Sequence, residues 1–91
     1  MKTEIKYINI PETVDELLQL LPKQVVKDGR TFWLNIAYCP HVSPTIEYAD
    51  FCKDGITAIP TSSFRFHDEK DLVENAGPKL LKWCRNNGYI E

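Results

Sequence analysis

The chain has 91 residues, 43% hydrophobic and 26% charged, with a net charge of −2 and a pI near 5.6. This is the make-up of one ordinary globular domain, expected to span residues 1–91, and it is neither disordered nor large enough for a deep substrate cleft. The charge is too small for a long-range field that gathers polyanions, and no run of about 18 apolar residues could cross a bilayer.

Residues 4–10 read as a strand, since β-branched and aromatic residues dominate and Pro11 ends the run. A short helix follows. Thr13 and Glu16 make a capping box, Val14, Leu17, Leu18 and Leu21 form one apolar stripe, and Pro22 stops it. Asp28-Gly29 then joins residues 24–27 to residues 30–38 as a hairpin, because a type I′ turn needs positive φ at both central positions. In the second arm Phe32, Leu34, Ile36 and Tyr38 share one face, and Trp33, Asn35 and Ala37 share the other. Pro40 and Pro44 predict an extended loop over residues 39–44.

A second Asp-Gly pair, Asp54-Gly55, predicts another hairpin between residues 45–52 and 56–59. Ile46 and Tyr48 fall on one face of its first arm, Ala49 and Phe51 on the other, which indicates a bulge or a strand covered on both sides. Pro60-Thr61-Ser62-Ser63 makes residues 56–66 either one kinked edge strand or two short strands. Phe64 and Phe66 share a face before a helix capped by Asp68, with Asp71 three residues on, and closed by Gly88. Acidic residues crowd the start of this helix and basic ones its end, which complements the helix dipole. Leu72, Val73, Ala76, Leu80, Trp83 and Cys84 keep one apolar phase through Gly77-Pro78, so a single kinked helix is expected.

The fold class that follows is α+β: a four- to five-stranded, mainly antiparallel sheet with the long C-terminal helix packed on one face and a short N-terminal helix. Phe32, Leu34, Ile36, Phe64 and Phe66 should meet Leu72, Val73, Leu80 and Leu81. Trp33, Asn35 and Arg65 then lie on the opposite sheet face, or toward the short helix.

The chemistry on offer is sparse. Cys39, His41, Cys52, His67 and Cys84 are soft metal ligands, but Cys-x-His followed by scattered singles fits no zinc finger or knuckle. The same residues could pair a thiol with an imidazole, yet no orienting group or oxyanion site is marked nearby. Thr61-Ser62-Ser63 lacks the glycine that would admit a phosphate, and the helix start behind it is acidic. No catalytic residue, metal ligand or cofactor is therefore assigned. The cysteines have no paired spacing and the N-terminus is charged too early for a signal peptide, so a reduced, cytoplasmic protein is expected.

Binding is the remaining class. Trp33, Asn35, Tyr48 and Arg65 are the candidate partner-binding residues of a small regulator or inhibitor that docks on a larger protein or on a second copy of itself. The alternative is a weak nucleic-acid surface made by Lys79, Lys82 and Arg85 with Trp83 interleaved. The plainer reading of that set is a solvated helix end with Trp83 in the core.

Overall fold

The structure, a computed structural model, describes residues 11–90, with Cys39 described by its backbone alone. The strand expected over residues 4–10 lies outside them. Helix α1 spans Val14–Leu20. Its cap forms as the spacing demands: the Thr13 hydroxyl accepts from the Glu16 N–H at 3.1 Å. The Glu16 carboxylate reaches back to the N–H of Glu12 at 2.8 Å, one residue before the cap. Leu17 and Leu21 are buried, and the helix ends just ahead of Pro22.

Five strands follow: β1 Gln24–Lys27, β2 Arg30–Cys39, β3 Val42–Cys52, β4 Gly55–Ala58 and β5 Phe64–Arg65. β1 to β4 pair in chain order as an antiparallel meander, and β5 also pairs with β3. Since β2 takes one edge of β3, β4 and β5 share the other. Residues 56–66 are thus two short strands, set apart by a 3-10 turn at Pro60–Ser62.

The three hairpin turns differ in how well their residues announced them. Asp28 and Gly29 have φ of +54° and +79°, the two positive values of a type I′ turn. In the β3–β4 hairpin Cys52 pairs with Gly55, so Lys53 and Asp54 are the central residues and Gly55 follows at φ +128°. The expectation of an extended loop over residues 39–44 is corrected. β2 and β3 meet in a tight turn at Pro40-His41, and Pro44 lies inside β3.

A bulge accommodates that proline. Ala37 pairs with Thr45 and Cys39 with Val42, so Ser43 and Pro44 together oppose Tyr38, and the extra residue is on β3. The Pro44 carbonyl accepts from the Phe66 N–H at 3.0 Å, which aims the missing Pro44 donor at the same edge. Pro44 thus stands opposite Phe66, whose carbonyl its missing donor would have met; β5 ends here, so the loss is confined to one terminal rung of the ladder. Both features read from the mixed alternation of β3 are present, the bulge at its start and a middle stretch covered on both sides. Ile46 and Tyr48 hold one face, Glu47 and Ala49 the other, and all four are buried.

Helix α2 is continuous, running α-helical over Glu69–Asp71, as a π turn over Leu72–Ala76, and α-helical again over Gly77–Asn86. Pro78 has no N–H and its ring crowds the carbonyl four residues back; the π turn just before it widens the ladder to take up that misfit. The end is a Schellman motif. Gly88 (φ +78°) donates to the Arg85 carbonyl and Tyr89 to the Cys84 carbonyl, while the Tyr89 ring lies 5.4 Å from Trp83.

The start of α2 is a reciprocal box built from two aspartates. Asp68 accepts from the Asp71 N–H, and Asp71 accepts from the His67 N–H, both at 2.8 Å. The Asn75 amide donates to the second Asp71 oxygen at 2.7 Å. This amide first, and the His67 N–H second, hold the Asp71 carboxyl below the usual carboxylate range. A lowered native pKa adds stability that is fully present above the unfolded value of about 4 and lost as pH falls through the native value. Asp71→Asn should therefore lower the urea midpoint at pH 7, and the gap to the parent should close as the pH falls through the lowered native value. A gap that persists in acid would mean the carboxylate charge is not what matters.

The core lies between the sheet and the two helices. Val25, Phe32, Ile46, Tyr48 and Phe66 pack with Leu17 and Leu21 of α1 and with Leu72, Ala76, Leu80, Leu81 and Cys84 of α2. Leu34, Ile36 and Phe64 pack against this cluster from the same sheet face.

Candidate functional site

Strand alternation puts one parity of each strand against the helices and turns the other away. The printed register then maps the outward face row by row. Val26 pairs with Thr31, and Phe51 with Ile56; Gln24, Trp33, Ala49 and Ala58 form the next row; Asn35 pairs with Glu47; Ala37, Thr45 and Arg65 form the last. Among the described residues no helix covers this face.

Its two ends differ in chemistry. Nearest the β1–β2 and β3–β4 turns stand Val26, Trp33, Phe51 and Ile56, which are 55%, 47%, 50% and 60% exposed. Four large apolar side chains on four adjacent strands are thus left in water together, whereas an isolated exposed apolar residue would need no explanation. Nearest the β2–β3 turn the face is polar. Glu47 is buried there, its carboxylate accepting from the Ser63 hydroxyl at 3.1 Å. Among the described residues Glu47 has no ion-pair partner, and exposed Arg65 stands one row further on beside Thr45.

Trp33, Asn35 and Arg65 therefore do share a face, as the alternation of β2 and the β5 register require. Tyr48 does not join them. It is fully buried on the helix side, where its hydroxyl donates to the Pro22 carbonyl at 2.7 Å and its ring stacks 5.8 Å from Trp83. Its place in the partner-binding set is corrected to a place in the core, because an even-numbered residue of β3 points at the helices. Phe51, Ile56 and Val26 were passed over in the sequence. The signal was present: Phe51 shares parity with Ala49, and the hairpin register carries that parity to Ile56.

The other candidates stay apart. Lys79, Lys82 and Arg85 are exposed along α2, but the Trp83 ring lies between Tyr48 and Tyr89 and donates its Nε1–H to Thr61 Oγ1 at 3.0 Å. That ring is not free to stack on a base. Cys84 is fully buried against Tyr48, while Cys52 is exposed and donates to the Gly55 carbonyl. His67 Nδ1 lies 3.3 Å from Ser43 Oγ. Among the described residues no three His, Cys, Asp or Glu side chains group closely enough to hold a metal ion. Among them, too, no helix is long and apolar enough to cross a membrane.

No known protein family matches this sequence, and no curated protein or solved structure does.

Proposed function

We propose that this chain is a small non-catalytic binding protein of the regulator or inhibitor type, docking on a larger protein through the uncovered sheet face. The observation that carries the reading is the gathering of Val26, Trp33, Phe51 and Ile56 on that face. Completing the burial of such a side chain contributes about 1–3 kcal/mol, and a Trp at the centre of an interface is a frequent anchor. The neighbouring Asn35 and Arg65 supply the polar rim that fixes orientation. A domain of this size that covers a partner's surface acts by occupying it, which is the behaviour of an inhibitor or a regulator.

The test is capture of the partner by tagged protein under nuclease treatment, with variants side by side. Trp33→Ala removes an exposed side chain and should leave the melting temperature unchanged while weakening capture by about 2 kcal/mol, roughly 30-fold in Kd. Lys82→Glu should bind as the parent does. Equal capture by Trp33→Ala and the parent, with loss in Lys82→Glu, would shift the site to α2 and favour the nucleic-acid reading, whose binding would also fall steeply with salt.

A further inference from the structure

The sheet also ends unevenly. β2 is ten residues long and its outer neighbour β1 only four. The last rungs between them are Gln24 with Trp33 and the bond from the Leu34 N–H to the Lys23 carbonyl at 3.0 Å. Beyond Leu34, the outer edge of β2 from Asn35 to Cys39 has no strand beside it among the described residues. Leu34 addresses that edge, so Ile36 and Tyr38 address it as well, each with one donor and one acceptor facing outward. Because the extra residue of the bulge is on β3, β2 carries no extra residue of its own along this edge.

Two side-chain features flank the free edge. Tyr38 is 75% exposed, the most exposed of the large apolar side chains described. Next to it is an open cavity of about 310 Å³ lined by Leu18, Lys23, Leu34, Asn35 and Ile36. One is a projecting aromatic ring and the other an apolar recess, both on the helix side of the same strand.

We propose that two copies of this chain pair their β2 strands antiparallel about a two-fold axis at Ala37, forming one continuous sheet. A second copy fits the gap because the gap is its own complement. About Ala37, Ile36 of each copy faces Tyr38 of the other as a hydrogen-bonded pair, and Asn35 faces Cys39. The opposing strand then ends in its Pro40-His41 turn just where Lys23 closes the gap. Each Tyr38 ring is delivered across the seam beside Ile36, into the recess lined by Leu18 and Leu34. The contact is isologous, so it closes at two copies and does not propagate. With the axis normal to the sheet, the two uncovered faces lie side by side. The pairing is independent of the docking reading, which concerns that face and not this edge.

Sedimentation equilibrium on the whole chain tests the proposal. The parent should sediment at twice the 10.5 kDa chain mass. Tyr38→Pro removes the outward donor together with the ring, and Tyr38→Asp puts a charge into the apolar recess; each should weaken dimerisation roughly tenfold or more while circular dichroism stays that of the parent. Trp33→Ala should remain dimeric. Ala37→Cys places two thiols at a non-hydrogen-bonded pair with Cα atoms about 4.5 Å apart, so mild oxidation should link the chains at that position. A parent that is monomeric at its highest soluble concentration overturns the proposal. So does a dimer that survives both Tyr38 variants, or one lost in Trp33→Ala, which would place the contact on the sheet face.

Discussion

Tyr48→Ala is expected to cost about 3–5 kcal/mol, a large part of the total stability of about 5–14 kcal/mol for a domain of this length. The side chain is fully buried where β3 meets both helices. Its hydroxyl satisfies the Pro22 carbonyl at the exit of α1 and accepts from the Cys84 thiol of α2, and its ring backs Trp83. The backbone of the same residue is fixed by the Ser62 hydroxyl and the Ile59 N–H, which anchor the 3-10 turn to β3. Truncation leaves a cavity and an orphaned carbonyl together.

Tyr48→Phe separates the two losses. It keeps the ring and should cost only about 1–2 kcal/mol, the hydrogen-bond share. Urea denaturation of both variants reads the difference, and equal costs would mean that the hydroxyl, and not the packing, carries the site. Burial also pushes the Tyr48 phenol well above its ordinary pKa and raises that of the Cys84 thiol. Groups with raised native values add stability that is whole below the unfolded pKa and lost as pH rises, so the urea midpoint should fall from about pH 8.5 upward. Cys84→Ala should make that decline begin later, nearer the ordinary tyrosine value of about 10.

Gly77→Ala should destabilise the protein although it improves helix propensity. Propensity alone favours Ala by about 1 kcal/mol in a helix interior. Against it, a Cβ at Gly77 would lie 2.5 Å from both Leu17 methyl carbons and 2.8 Å from the Leu72 carbonyl oxygen. The Leu17 methyls belong to a fully buried side chain, and the carbonyl is the acceptor of the π-turn bond from the Gly77 N–H. Neither gives way cheaply, so overpacking of about 2–4 kcal/mol outweighs propensity, for a net loss of about 1–3 kcal/mol. The thermal midpoint should drop by roughly 5–20 °C. Adding Leu17→Ala should make Gly77→Ala less costly than it is in the parent; strict additivity would show that α1 is not what presses on Gly77.

That contact shows where sequence reasoning reached and where it stopped. Gly77-Pro78 reads as a flaw in an otherwise periodic helix, and the apolar phase on either side is enough to join the halves. What the glycine is for depends on Leu17, sixty residues earlier, and no local pattern connects the two. The type I′ turn, both helix caps, the Schellman end and the inward phenylalanines were legible because each is fixed by neighbours within four residues or by strand alternation. Pro44 misled for the converse reason. A strand takes a proline where only a terminal rung is lost, and that Pro44 meets Phe66 just as β5 ends depends on a segment about twenty residues away. Tyr48 was misplaced because Ile46 through Ala49 is apolar or shielded on both parities, so pattern alone does not say which face meets the helices. The uncovered face was half read: Trp33, Asn35 and Arg65 follow from alternation, whereas Val26, Phe51 and Ile56 join them only once the hairpin registers are known.

The docking claim is tested most directly by hydroxyl-radical footprinting of the chain with and without its purified partner. Protection should concentrate at Trp33, Phe51 and Ile56 on the uncovered face, with Lys79 and Lys82 of α2 as reactive as in the free protein. Full reactivity of Trp33 and Phe51 in the complex, with protection confined to α2, would contradict the account.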